Sequence, residues 1–228
     1  MIAIIGAMEE EVAEILKQMD SYQEKKISNI QFYEGMMANK EVVLMQSGVG
    51  KVLSALSTTV LFEHFTVDTV INIGTAGGLQ EENEVLDVII ASKVAQFDMD
   101  LTPFGYFSTF DEARITVSCD QDLINLAYDV MANQNDRVFV GPMVTSDQFV
   151  FSVEQVEEIK LHFEEALCAD MEAGAIGMVC RHYQCPFIVI RSLSDIVLHK
   201  DNHLTFEEYV SKASARSAMW CRKIVEAK

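Results

Sequence analysis

Basic residues are scarce in this chain of 228 residues. Seventeen lysines and arginines stand against 35 aspartates and glutamates, for a formal net charge of −18. That balance argues against a nucleic-acid partner, which needs clustered Lys and Arg along a phosphate backbone. It also argues against an anionic membrane surface. There are only three prolines, which argues against a disordered chain and for a compact globular one. The five cysteines are odd in number and show no Cys-x-x-Cys spacing, so a reducing compartment with buried, inert thiols is expected. No apolar run approaches the ~20 residues that span a bilayer. The chain opens directly on a strand pattern with no charged leader or cleavage site, so a cytoplasmic location is expected. His199 and His203 are four apart, but no third ligand accompanies them, so neither a metal nor any other cofactor is expected.

Half of the residues are hydrophobic. A chain of this length fits one α/β domain over residues 1–228, burying roughly 70% of its unfolded surface. Strand and helix patterns alternate throughout. Ile2 to Ile5 reads as a strand, and Val12, Ile15, Leu16 and Met19 form an apolar stripe at helical spacing. Ile30 to Met37 and Glu41 to Met45 read as a hairpin joined by Ala38-Asn39-Lys40. A helix from Lys51 to about Phe65 precedes the strand Thr69 to Ile73 and a small-residue turn, Gly74-Thr75-Ala76-Gly77-Gly78. Further strands are expected within Val85 to Phe97 and at Val138 to Val144, with a helix from Asp120 to Ala132. Ser152-x-x-Gln155 and Thr205-x-x-Glu208 are capping boxes, the first opening a helix through about His162 and the second the final helix. The alternation predicts a largely parallel or mixed sheet covered by helices on both faces. The segment from Met99 to Ile115 has no regular pattern and is expected to be a functional loop.

Three acidic motifs stand where strands end. The apolar run Pro186 to Ile190 breaks into Arg191-Ser192-Leu193-Ser194-Asp195, and ligands in open α/β sheets bind beyond such strand ends. Met8-Glu9-Glu10-Glu11 follows the first strand. On the helical wheel Glu10 and Glu14 face solvent, while Glu9 and Glu11 lie on the two borders of the apolar stripe, so spacing does not choose between them. An acidic first turn also simply complements a helix dipole. Asp170-Met171-Glu172 follows the strand-like Ala166 to Ala169; a carboxylate there could clamp vicinal hydroxyls, or Asp170 could serve only as a helix cap. The glycines of Gly74 to Gly78 do not fit a dinucleotide fingerprint, and Ser47-Gly48-Val49-Gly50-Lys51 fails as a P-loop.

Taken together, these residues resemble the bacterial 5′-methylthioadenosine/S-adenosylhomocysteine nucleosidases, within the purine nucleoside phosphorylase-like fold. The match runs in one order along nearly the whole chain: Ile4 to Glu11, Ser47 to Lys51, Ile73 to Gly78, Asp98 to Asp100, Phe149-Val150, Asp170 to Ala173, Arg191 to Asp195 and His203 to Phe206. It implies a three-layer αβα architecture with a mixed central sheet, and hydrolysis of the N-glycosidic bond of adenine nucleosides. It also selects Glu11 over Glu9 as the carboxylate that activates water, with Arg191 and Thr75 nearby. Asp195 would act on purine N7 beside Ser194, and Glu172 would hold the ribose hydroxyls with Met171 against the sugar. Phe149 would stack on the purine, with Val150 and Gly77 beside it. Met8, Val49 and Phe206 would line the ribose and the 5′ group. A two-fold homodimer is implied, with Leu101 and Phe104 reaching the partner's pocket. Two departures stand out. Thr75 replaces the family's usual Ser, and Phe107 to Ala113 replaces a Gly-Gln-Leu-Pro-Gly type loop, which leaves the preferred 5′ group open. The alternatives are a nucleoside phosphorylase of the same fold and a nucleoside-binding protein without turnover.

Overall fold

The computed structural model describes residues 1–132 and 137–198, the backbone of 206–211, and all of 212–228. Strand β1 (Ile2–Gly6) leads into helix α1 (Glu9–Leu16), and β2 (Ser21–Ile27), β3 (Ile30–Met37) and β4 (Lys40–Gln46) follow. Next come α2 (Lys51–His64), β5 (Thr69–Gly78), β6 (Val88–Gln96), a 3-10 turn at Thr102–Phe104, and β7 (Thr116–Ser118). The remainder is α3 (Gln121–Ala132), β8 (Val138–Thr145), α4 (Val153–Lys160), β9 (Cys168–Asp170), α5 (Ala173–His182), β10 (Phe187–Ile196) and α6 (Phe206–Ala227). This is the expected mixed α/β class. One helical group, α1, α3 and α6, packs together, and α2 packs on α5.

The sheet runs in the order β10-β6-β8-β9-β5-β1-β4-β3-β2, with β7 on β6. Because β10 also pairs with β5, the strands β5, β10, β6, β8 and β9 close into a ring. The pairs β1–β4, β1–β5, β10–β5, β6–β8 and β8–β9 are parallel; β10–β6, β5–β9 and the β2-β3-β4 meander are antiparallel. The parallel centre explains its apolar runs: Ile2–Gly6 is buried at every position, as strands covered on both faces must be.

Four local readings change. Gly74–Gly78 is no turn: it continues β5, because β10 pairs with it, through one register slip after Leu193, as far as Ile196 opposite Gly78. For the same reason Arg191 to Asp195 does not lie past a strand end but within β10. Two strands, β2 and β7, carry no hydrophobic signal strong enough to announce them. β2 is a polar outer strand, exposed nearly throughout, whose Lys25 and Lys26 suit an unpaired edge. The turn expected at Ala38-Asn39-Lys40 is two residues long, Ala38-Asn39, and a second two-residue turn, Ser28-Asn29, joins β2 to β3; all four residues have positive φ, as a twist-matched tight turn requires.

The Ser152/Gln155 capping box forms as expected, with the Gln155 N–H on Ser152 Oγ and the Ser152 N–H on Gln155 Oε1. The Thr205 box, His199 and His203 lie outside the described residues, as does the Phe206 side chain. Among the described residues, no helix is long and apolar enough to cross a membrane.

Candidate active site

A cavity of about 200 Å³ opens where β1, β5, β9 and β10 end together. Each element delivers one polar group for a local reason. Past Gly6 the chain turns through Ala7 and Met8 into α1, so Glu11 falls on the first helical turn and folds back over the strand ends. Its carboxylate accepts the N–H of Ala7 (2.8 Å), Met8 (3.1 Å) and Thr75 (3.2 Å). The structure therefore separates the acidic trio: Glu11 is buried, whereas Glu9 and Glu10 are exposed. Capping is also part of its work, since Met8 precedes the helix.

The glycines of β5 make room rather than a turn. A Cβ on Gly74 would sit 2.9 Å from Glu11 Oε1, closer than side-chain atoms tolerate. A Cβ on Gly77 would meet Asp195 Oδ2 at 3.4 Å, so Asp195 stands directly behind that stretch of the pocket wall. In β10 the register slips between Leu193 and Asp195, leaving Ser194 as the extra residue. Bulges of this kind re-aim side chains next to active sites. Here Ser194 turns its hydroxyl to Asp195 Oδ1 at 2.7 Å and to the Ala76 carbonyl at 3.3 Å.

Glu172 and Asp170 divide the two roles open to their motif. Asp170 caps α5 by accepting the Ala173 N–H at 3.0 Å, and takes Thr145 Oγ1 at 2.5 Å. Glu172 is left to reach across the cavity, where its Oε1 accepts the Gly50 N–H at 2.9 Å. Arg191 is almost fully buried and its donors are committed. It gives Nε and Nη2 to Asp170 Oδ2 at 3.2 and 2.7 Å, Nη2 to Asn72 Oδ1 at 2.6 Å, and Nη1 to the Ile190 carbonyl at 3.0 Å.

Burial decides the ionisation of this site. It pushes the Glu11 carboxyl above its ordinary 4.5, against the pull of the Met8 amide, the Arg191 charge and the amides of Ala7 and Thr75. It raises Glu172 to about 7, with the Asp170 charge adding to the effect and the Gly50 amide opposing it. Asp195 is raised by burial too, with only the Ser194 hydroxyl opposing. Glu11 and Glu172 line the cavity, while Asp195 does not line it and stands behind its Gly77 wall; all three hold protons more tightly than usual, a pattern concentrated at functional sites.

Of the residues expected from the sequence, Met8, Glu11, Val49, Thr75 and Gly77 line the cavity from one side. Phe149, Val150, Met171, Glu172, Arg191 and Ser194 line it from the other. Leu101 and Phe104 do not reach it. Leu101 packs on a smaller apolar cluster of the same chain, and Phe104 is 76% exposed. Sequence reasoning missed Gly50, Asn72 and Gln148, and took Asp170 only as a cap. Asn72 carried a legible signal, as an amide inside the apolar run Val70-Ile71-Asn72-Ile73.

Comparisons with known proteins bear on the family and the fold. The phosphorylase superfamily pattern matches residues 1–226. The 5′-methylthioadenosine/S-adenosylhomocysteine nucleosidase of Staphylococcus haemolyticus is 38% identical over 227 residues, covering 99% of both chains. That of Neisseria meningitidis, solved with methylthio-immucillin-A, superposes with a TM-score of 0.92 at 35% identity, covering 100% of this chain and 99% of the other. A putative nucleosidase of Borrelia burgdorferi bound to adenine superposes at 0.93 with 32% identity, covering 100% of both chains. By pattern, full-length identity and superposition alike, the chain belongs to the phosphorylase superfamily and, within it, to the 5′-methylthioadenosine/S-adenosylhomocysteine nucleosidases.

Proposed function

We propose that this chain hydrolyses the N-glycosidic bond of 5′-methylthioadenosine and S-adenosylhomocysteine, releasing adenine. The observation that carries the reading is Glu11, a buried carboxylate on the cavity wall held by three backbone amides. Burial makes it more basic than a solvated carboxylate, which suits a group that takes a proton from water at neutral pH. The water oxygen bonds to C1′ of the ribose as the bond to N9 breaks, and the water proton passes to Glu11. Asp195, whose burial favours its protonated form, gives a proton or a strong hydrogen bond to N7. Adenine then leaves neutral rather than as an anion. The sugar develops cationic character in between, and the carboxylates around it offset that charge.

Glu172 accepts hydrogen bonds from the ribose hydroxyls, with Met171 against the ring. Phe149 stacks on the purine, Val150 reads its edge through the backbone, and Gly77 leaves space beside Asp195. Met8, Val49 and Phe206 line the ribose and 5′ group, and the Thr75 hydroxyl borders the water site, while Arg191, its donors committed elsewhere, acts on Glu11 through its charge. Neither metal nor organic cofactor enters this scheme.

A phosphorylase would need free cationic donors for phosphate. Arg191 directs its donors to Asp170, Asn72 and a carbonyl, and Glu11 occupies the nucleophile's side with the wrong charge. The test is adenine release from both nucleosides with and without phosphate. Adenine appearing only with phosphate would make it a phosphorylase, and binding without release would leave only a nucleoside-binding protein.

The working unit is proposed to be a homodimer of single-domain chains spanning residues 1–228. Phe110 packs on Phe163 of its own chain, but Phe104 and Phe107 stay exposed, as do Val52, Leu53 and Leu56 of α2. An apolar surface of that kind fits an interface, with Leu101 and Phe104 serving the partner's pocket. All five thiols are buried and unpaired, which suits a reducing compartment such as the cytoplasm; the place proposed for the reaction is methionine salvage.

A further inference from the structure

Two walls of the cavity come from different parts of the chain. The turn Gly48 to Lys51 carries Val49 and the Gly50 amide that holds Glu172, and the segment after β8 carries Gln148, Phe149 and Val150. Three side chains outside the cavity tie these walls together. Asp147 Oδ1 accepts the Lys51 N–H at 2.7 Å, capping α2 from another element, since Gly50 has no side chain to do so. Asp98 accepts Lys51 Nζ on Oδ1 at 2.6 Å and the Asp147 N–H on Oδ2 at 3.0 Å. Both partners of Asp98 are donors, so the link needs a group with two accepting oxygens. The Lys51 and Asp98 side chains are 17% and 21% exposed, shielded enough for the pair to matter more than a solvated one.

We propose that Lys51, Asp98 and Asp147 are positioning residues, a clip that sets the distance between the ribose-holding and purine-holding walls. This rests on reading the cavity as an adenine-nucleoside site. The clip acts through two neighbours, Gly50 on one side and Gln148-Phe149 on the other. When it opens, the Gly50 amide loosens its hold on Glu172 and the purine wall drifts, so binding suffers before chemistry does.

Asp98→Asn tests this with minimal change of shape, because an amide offers one acceptor and turns a donor toward a donor. The expected result is a KM for methylthioadenosine raised about fivefold to tenfold, the scale of a lost charge-assisted hydrogen bond, with kcat within about threefold. Adenine affinity by calorimetry should weaken in parallel, and the acidic limb of kcat/KM should move to higher pH as Glu172 loses the Gly50 amide. Lys51→Met should do the same, and the double variant should be no worse than either single one, as partners in one link require.

Variants that match wild type in KM, adenine affinity and pH profile would overturn the clip. So would additive losses in the double variant. If one variant fails to fold, the other still supplies the KM, binding and pH readouts. Wild-type protein that neither binds adenine nor releases it would overturn the site reading and the clip with it, whereas normal wild-type binding with unaffected variants would remove the clip alone.

Discussion

Replacing Glu172 by Gln should make the protein more stable and less active. The carboxyl is 7% exposed and raised to about 7 from an ordinary 4.5 by burial and by the Asp170 charge. A carboxyl whose folded value lies above its unfolded value binds its proton more tightly in the fold. Its contribution is therefore most favourable below pH 4.5 and is lost as pH rises to about 7, beyond which it is flat. At about 1.4 kcal/mol per pH unit across that window, the ionised group costs the fold on the order of 3 kcal/mol at about pH 8. Glutamine keeps an oxygen for the Gly50 N–H and removes the charge. For a chain of this size, Tm should rise by ~6–12 °C at about pH 8 and little at about pH 5. Exchanging a charged acceptor for a neutral one at the ribose hydroxyls should lower kcat/KM about tenfold to a hundredfold. Thermal unfolding by circular dichroism from about pH 5 to about pH 8 reads the first effect, and adenine release the second. The wild-type Tm should fall over this range more steeply than the variant's, whose remaining slope comes from Glu11, Asp195 and Asp87, all raised by burial. A variant less stable than wild type at about pH 8, or one with an unchanged slope, would refute the reasoning.

Glu11→Gln and Asp195→Asn should each reduce turnover by at least ~10², the scale of a positioned acid or base, with Glu9→Gln far milder; near-normal rates in either folded variant would remove its assigned role. Gly74→Ala should push the Glu11 carboxylate off its amides and cost turnover, because the new Cβ would start 2.9 Å from Oε1; unchanged kcat would show that Glu11 tolerates displacement. Turnover should be indifferent to millimolar phosphate, and heavy-oxygen water should label the anomeric hydroxyl when read early, whereas ribose 1-phosphate derivatives among the products would contradict hydrolysis. Sedimentation at micromolar concentration should give a dimer, and Phe104→Ala should raise KM; a fully active monomer would remove the shared-pocket reading.

The residues that line the cavity were more legible in the sequence than the backbone that carries them. Apolar runs declared β1, the start of β5 and β10, because strands buried on both faces have no polar alternation to confuse them. The same logic failed at Gly74–Gly78 and at Arg191–Asp195. Small and charged residues look like a strand's end, yet here they continue it, since the cavity is built into the last pairs of β5 and β10. Glu9 and Glu11 were indistinguishable on a helical wheel, because the burial of Glu11 comes from the strand ends it folds over and not from its own helix. Gly50, Asn72 and Asp147 act through contacts spanning from 67 to 122 positions in sequence, beyond the reach of any local pattern.

The closed ring of β5, β10, β6, β8 and β9 also dictates when the molecule can become an enzyme. Its closing strand, β10, is the last strand among the described residues, and it wedges between β5 and β6 with parallel bonds on one side and antiparallel on the other. Glu11 is made near the start of synthesis, but Asp195 and Arg191 arrive with the final strand. A nascent chain thus carries most of its core sequence while β5 and β6 still lack their shared neighbour. Pairings so distant in sequence are slow to form. Two open strand edges persist until the C-terminal strand is released, and that interval is when the chain is most exposed to aggregation.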